Sequence, residues 1–365
     1  MSKILILGAY GNFGKRIASA LLKANIPIII NGRNEKKANE FVKSLENDFD
    51  KSLFEIAIFD AETDLDAYLK SKKAKILINN CGPFQAKDYR IAQIAIENGV
   101  NYIDLADGRD FVVNIASLDK KARENKVSII SGASTVPGLS SAVLEEFKDE
   151  FQSIESLKFG ISPGQKAERG LATTMGILSY AGKPLKPFAG HDKAYGWQDI
   201  YWQKFEDIGF RPMANCDIPD LDLLPPKYGI KNIQFSAGLE LNFLHLGLWA
   251  LSYLVRWGVR LNLENQAALM LKAADWFNFM GSNDGGMFMD IHGIGKNDEA
   301  LNKKCFIIAK NGDGPQIPTI PAIVLAKKLY KKQFKQIGAM PCVGLVSLSE
   351  YLDELKDFEI ETYVI

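Results

Sequence analysis

Short apolar runs alternate with longer amphipathic stretches through the first third of the chain. The runs are Ile4–Leu7, Ile26–Ile30, Phe54–Phe59, Ile76–Ile78, Tyr102–Leu105 and Val127–Ile130. Near-continuous aliphatic runs of this length suit parallel strands covered by helices on both faces. Between them Phe13, Ile17 and Leu21 recur at helical spacing, as do Ile91 with Ala95, and Phe111, Ile115, Leu118 and Ala122. Gly99 sits where a glycine commonly ends a helix, just before the fifth run. Six strands alternating with helices predict an α/β fold with a doubly wound sheet over residues 1–150.

After Pro137-Gly138 the pattern changes. Ser140–Phe151 reads as a helix and Leu157–Ser162 as the strand that opens a second domain, 151–314. Residues 183–230 hold six prolines and weak periodicity, so long irregular connections are expected. Met287–Gly295 and Lys304–Lys310 read as an antiparallel hairpin, GDGP at Gly312–Pro315 as a turn, and Ala322–Lys332 as a helix. Leu239–Leu261 approaches membrane-spanning length, but Glu240, Asn242, His245, Ser252 and Arg256 interrupt it. Leu241, Leu244, Leu248, Leu251 and Val255 form one helical stripe and Trp249, Tyr253 and Trp257 another. This predicts a helix packed on the second domain or across a dimer interface, with no integral membrane span.

Composition narrows the partner. The 365 residues carry 44 basic and 44 acidic side chains, so there is no basic excess to suggest nucleic acid, and a small-molecule substrate is the expectation. Cys81, Cys216, Cys305 and Cys342 lie far apart, which excludes a disulfide framework and a zinc knuckle and suits a reducing cytoplasm. Met1–Lys3 leads directly into an apolar run, so no signal peptide is expected. His191, His245 and His292 lack metal-ligand spacing and read as structural residues.

The candidate chemistry begins at GAYGNFG. Gly8, Gly11 and Gly14 follow the first run and open the first helical stretch. Glycines there permit a tight turn and close backbone approach to a pyrophosphate, while the helix N-terminus offers N–H groups and a positive dipole end. This predicts a Rossmann domain holding a dinucleotide; a glycine turn without ligand is the plainer alternative. The second run ends in Asn31-Gly32-Arg33-Asn34, with no carboxylate to repel a 2′-phosphate and with an arginine to bind it. NADP is therefore favoured over NAD, the alternative being a solvated Arg33. Asp60 either accepts from the adenine amino group or caps the following helix. Cys81-Gly82-Pro83-Phe84 forms a turn expected beside the ribose and nicotinamide, with Cys81 as a lining residue. Asp104 and Asp107 flank the carboxyl end of the fifth run, and Asp107 is the catalytic candidate, against a capping or solvated role.

These motifs together resemble the saccharopine dehydrogenase-like family, particularly its NADP-binding, saccharopine-reductase-type branch. The resemblance rests on GAYGNFG, NNCGPF, ENGVNYIDLADG and SGASTVPGLSS at Ser131–Ser141, in that order over about 140 residues. GDGPQIPTIPA at Gly312–Ala322 and GAMPCVGLVSL at Gly338–Leu348 look like C-terminal segments of bacterial members. The resemblance implies that Gly8, Gly11, Asn12, Phe13, Arg33, Asp60 and Cys81–Phe84 touch NADP. It implies that residues 315–365 return to the first domain, and that the second is an α+β domain on a mixed or antiparallel sheet, often serving dimerisation. One departure is Asp107-Gly108, where the family commonly has Gly-Glu; another is residues 183–285, which lack the substrate pattern of saccharopine chemistry. The expected function is an NADP-dependent oxidoreductase moving hydride to or from a carbonyl, imine or amine carbon, as a cytoplasmic homodimer. The alternatives are a non-catalytic NADP-binding partner protein and a membrane-associated lipid reductase.

Overall fold

Each apolar run of the first third forms a strand in the computed structural model, which describes residues 3–71, 74–85 and 87–365. In chain order the elements are β1 (Ile4–Leu7), α1 (Asn12–Lys23), β2 (Ile28–Gly32), α2 (Glu35–Leu45), β3 (Phe54–Ile58), α3 (Ala61–Ser71), β4 (Ile76–Asn79), α4 (Arg90–Glu97), β5 (Asn101–Asp104), α5 (Arg109–Val113), α6 (Asp119–Glu124) and β6 (Ser128–Ser131). They pair in the order β6-β5-β4-β1-β2-β3, all parallel, so the strand order reverses between β1 and β4. One face of the sheet, carrying Leu5, Leu7, Ile29, Leu77, Tyr102 and Ile129, buries Leu65 and Leu69 of α3, Ala92, Ala95 and Ile96 of α4, and Ala122 of α6. Burial of such aliphatic side chains contributes about 1.5–3 kcal/mol each.

The chain continues through α7 (Ser140–Phe147), β7 (Phe151–Ser162), α8 (Leu171–Tyr180), β8 (Tyr201–Phe205), β9 (Gly209–Asn215), α9 (Asp220–Tyr228), β10 (Asn232–Gly238), α10 (Asn242–Arg256), α11 (Ala267–Asp275), β11 (Gly285–Gly295) and β12 (Ala300–Ala309). It ends with α12 (Ile320–Tyr330), β13 (Gly338–Pro341), α13 (Leu348–Leu355) and β14 (Ile360–Val364). Two compact units result: Met1–Leu139 with Gln316–Glu354, and Ser140–Pro315 with Leu355–Ile365. In the first, β13 pairs in parallel with β6, and α12 lies against α1, β4 and β5. In the second, a mixed sheet runs β14-β12-β11-β7-β10-β9-β8, with only β7 and β10 parallel.

Three expectations are corrected. The helix after Pro137-Gly138 stops at Phe147, and Phe151 already begins the twelve-residue strand β7. Residues 183–230 are not all irregular: β8 and β9 form a hairpin, and α9 tolerates Pro225 and Pro226 near its C-terminal end. The final residues, expected on the first domain, add β14 to the edge of the second sheet through Cys305–Ala309 of β12. A short alternating strand finds its ladder only at an open sheet edge, which local pattern does not locate.

The segment Leu239–Leu261 contains the fifteen-residue helix α10, and among the described residues no helix is long and apolar enough to cross a membrane. The expected stripe faces inward: Leu241 and Leu248 are buried and Leu244, Leu251 and Val255 half-buried, joined by buried His245 and Ser252, whereas Phe243, Leu246 and Leu254 point outward. A polar seam runs beside it. Trp197 Nε1 donates to the His245 carbonyl at 3.4 Å, Leu239 N–H donates to His245 Nδ1 at 3.3 Å, and Gln198 Nε2 donates to Ser252 Oγ at 3.3 Å. Arg256 completes it, donating to Gln198 Oε1 at 2.7 Å and stacking 4.0 Å over the Tyr195 ring. Burial holds His245 neutral, with its pKa lowered to about 4.

Candidate functional site

The carboxyl edge of the first sheet is where the candidate residues meet. Gly8 adopts φ +67 at the end of β1, a conformation that favours glycine. A Cβ on Gly14 would lie 2.2 Å from the Gly8 carbonyl oxygen, so α1 presses against the strand end as no side chain would allow. Gly11, at φ −73, is exposed and would meet only that same carbonyl, at 3.1 Å. No side chain caps α1 and no acid occupies its first turn, unlike α2, whose N-terminus is capped by the Asn34 carboxamide accepting from Lys37 N–H. An uncapped N-terminus at a strand edge is a site for an anion. The donor set and the open surface at Gly11 fit a pyrophosphate. Asn12 and Phe13 form the first turn of α1 beside it.

On the β2 side, Arg33 and Asp60 come together, 3.7 Å apart, with Arg33 79% exposed. Asp60 takes the capping role: Oδ1 accepts from Glu62 N–H at 3.0 Å at the start of α3, while Oδ2 faces Arg33. Such an exposed pair is worth about 0–1 kcal/mol, so the guanidinium is available to a competing anion. Tyr10 was missed. Its ring lies so close over Gly32 that a Cβ there would sit 2.1 Å from it, and its hydroxyl accepts from Asn34 N–H at 2.9 Å. An aromatic inside the glycine motif was the available signal.

On the β4 side, the turn Cys81–Phe84 contains a cis Gly82–Pro83 bond. Cys81 Sγ lies 3.4 Å from where a Gly8 Cβ would be, which brings this turn against the glycine turn. Desolvation pushes the Cys81 thiol up to about 11, which disfavours a thiolate. The Phe84 ring is buried against Phe111, with centroids 5.3 Å apart, and anchors the turn rather than projecting from it. The next turn is in contact: a Cβ on Gly108 would come within 3.3 Å of the Phe84 carbonyl and of Gln85 N. Asp107 Oδ1 accepts from Gln85 Nε2 at 3.1 Å, and burial raises its pKa. Asp104, at the end of β5, is fully buried. Among the described residues no cluster of three metal-ligating side chains occurs, and His245 and His292 stand apart, the latter 2.9 Å from Asp290.

Residues 4–130 match the saccharopine dehydrogenase NADP binding domain, from the start of β1 into β6. An uncharacterized oxidoreductase of Bacillus subtilis is 30% identical over 133 residues, 31% of this chain and 50% of that protein. A lipid droplet localized protein of Caenorhabditis elegans is 22% identical over 135 residues, 35% of this chain and 32% of that protein. The chain thus spans half the length of one of these relatives and a third of the other. Among solved structures, apo saccharopine dehydrogenase (L-Glu forming) of Saccharomyces cerevisiae has a similar fold, with a TM-score of 0.65 over 100% of both chains at 10% identity.

The glycine turn yields a prediction with two arms. Gly14→Ala is expected to lower unfolding free energy by about 1–3 kcal/mol through overpacking, read by urea denaturation. Gly11→Val is expected to keep the far-ultraviolet circular dichroism of the parent and to lose NADPH binding by calorimetric titration. A folded Gly11→Val protein that binds normally would remove the glycine turn from the site.

Proposed function

We propose that the chain is an NADP-dependent oxidoreductase acting on a carbonyl, imine or amine carbon of a small metabolite, a reading supported by the match of residues 4–130 to the saccharopine dehydrogenase NADP binding domain. The observation that carries this reading is the uncapped N-terminus of α1, set between Arg33 on one side and the paired turns of Cys81–Phe84 and Asp107 on the other. When bound, the cofactor supplies or accepts the hydride. Gly8, Gly11, Asn12, Phe13 and Gly14 hold the pyrophosphate, Arg33 the 2′-phosphate and Asp60 the adenine side. Cys81, Gly82 and Pro83, with the Phe84 backbone, wall the nicotinamide side. Asp107 balances the charge: as hydride reaches carbon, the protonated carboxyl gives its proton to the oxygen or nitrogen of the broken double bond and is left as carboxylate. Burial raises its pKa, the direction that favours the protonated form. The four free cysteines suit a reducing cytoplasm.

A second reading, a lipid-active reductase, draws on the outer face of α10 and α11. Trp257 is 73% exposed, and Trp276 and Phe279 are each 79% exposed, alongside Leu246, Leu254, Leu269 and Met280. The Phe243 and Phe277 rings, 4.9 Å apart, join the two helical segments into one surface. An apolar face of this kind marks an interaction site. Covered by a second copy it makes the homodimer; laid on a lipid surface it brings an apolar substrate to the enzyme, as the name of the nematode relative suggests for that protein.

Three outcomes test these readings. NADP is expected to bind more tightly than NAD, and Arg33→Ala to lose about tenfold or more of NADP affinity, as befits a contact of roughly 1.5–3 kcal/mol; equal affinities for the two cofactors would refute the assignment. Asp107→Asn should lower the rate of carbonyl or imine reduction about 10²-fold or more with NADPH affinity intact. Because the acid form is the donor, the parent rate falls as pH rises through the raised pKa, and the variant should lack that limb. Finally, light scattering of detergent-free protein at twice the monomer mass, without liposome flotation, supports the dimer; quantitative flotation supports the lipid reading.

A further inference from the structure

The strands of the first sheet are apolar until their last residues. There Asn79 of β4 and Asp104 of β5 are partners in register, and both are buried. Tyr102 and Ile129 are partners two residues earlier, which puts Ser131 of β6 next in the same row. Asp104 is fully buried, and its Oδ1 accepts three bonds: from Ala106 N–H at 3.0 Å, Ser131 Oγ at 2.9 Å and Gly132 N–H at 2.8 Å. Ala133 N–H donates to the Asp104 carbonyl at 2.8 Å. Among the described residues the other carboxyl oxygen, Oδ2, is buried without a hydrogen-bond partner, and burial followed by the charge of Asp104 pushes the Tyr102 hydroxyl well above its ordinary pKa. That hydroxyl accepts from Asn79 Nδ2 at 3.1 Å, and Asn79 Oδ1 accepts from Cys81 N–H at 3.0 Å.

Two buried polar groups therefore lie side by side at this edge: Cys81 N–H, Asn79 and the Tyr102 hydroxyl in one, Asp104 with the turns after β5 and β6 in the other. Burial raises the Asp104 carboxyl to about 6, which leaves it ionised at neutral pH and able to draw the N–H groups in. A carboxylate is costly to bury, and a hydrophobic side chain would fill a sheet core at less cost. Its position joins the three loops on the β4-β5-β6 half of the sheet, the half that takes the second mononucleotide of a dinucleotide in a doubly wound fold.

We propose that Asp104 is a positioning residue that, through Tyr102 and Asn79, holds the Cys81, Ala106 and Gly132 turns in the one arrangement that receives the nicotinamide mononucleotide. The inference rests on the NADP reading above and deepens it. A purely structural Asp104 would support both halves of the ligand equally; a positioning Asp104 acts on one half alone. The test compares NADPH with 2′-phospho-ADP-ribose, which lacks the nicotinamide, by calorimetric titration of the full chain. Tyr102→Phe removes the hydroxyl that Asn79 donates to and that sits in the field of Asp104 but keeps the three loop bonds to Oδ1, and Asp104→Asn removes the charge. Both variants are expected to lose about tenfold of NADPH affinity while binding 2′-phospho-ADP-ribose within about twofold of the parent, and Tyr102→Phe is expected to keep the parent melting temperature. Equal losses for the two ligands, or no loss for either, would overturn the positioning role with the cofactor reading intact. A parent protein that binds neither ligand would overturn both.

Discussion

The contact between Gly14 and the Gly8 carbonyl is the constraint on which the first unit's function depends. It brings α1 so near the end of β1 that no side chain fits between them, and it fixes where the helix begins. α1 begins there without a capping side chain. The neighbouring helix α2 shows the contrast: the Asn34 side chain accepts from Lys37 N–H and caps it. Two helices of similar length, on adjacent strands of one sheet, thus differ in chemistry through one residue at the cap.

Parallel strands buried on both faces have no room for polar side chains along their length. Polar groups become tolerable only where the ladder ends and loop N–H groups need partners. That is where Asn31, Asn79, Asp104 and Ser131 sit, each at the last or next-to-last residue of its strand. Asn31 illustrates the economy: its amide donates to the Ala57 and Phe59 carbonyls and ties the end of β2 to the end of β3. The same physical rule that keeps the sheet apolar collects its chemistry at one edge.

In the second unit, the inward face of α10 carries His245 and Ser252 beside Leu248, while Phe243, Leu246 and Leu254 face outward. Buried polar groups require partners, and Trp197, Gln198 and the Leu239 N–H supply them. The close approach at Gly182, where a Cβ would lie 2.1 Å from the Ser252 carbonyl, makes that seam possible. A helix docked through hydrogen bonds is free to spend its apolar residues on another surface.

Periodicity alone located six of the seven strands of the first sheet to within about two residues, since aliphatic runs separated by helical stripes have few other solutions. The glycine spacing, the missing acid after β2 and the order of the later motifs located the candidate cofactor residues, because each is a local backbone or charge requirement written in consecutive residues. What the sequence did not determine depends on partners distant in the chain. The edge position of β14 needs β12; the polar seam beside α10 needs Trp197 and Gln198; the meeting of Arg33 with Asp60 needs two strands side by side. Asp104 is the sharpest case: its residue type was visible beside Asp107, yet its burial, its three donors and its place beside Tyr102 and Asn79 exist only once β4, β5 and β6 lie in register. Local pattern encodes which groups a strand end carries, whereas hydrogen bonds across strands are decided by register, and register is set by the burial of the whole sheet.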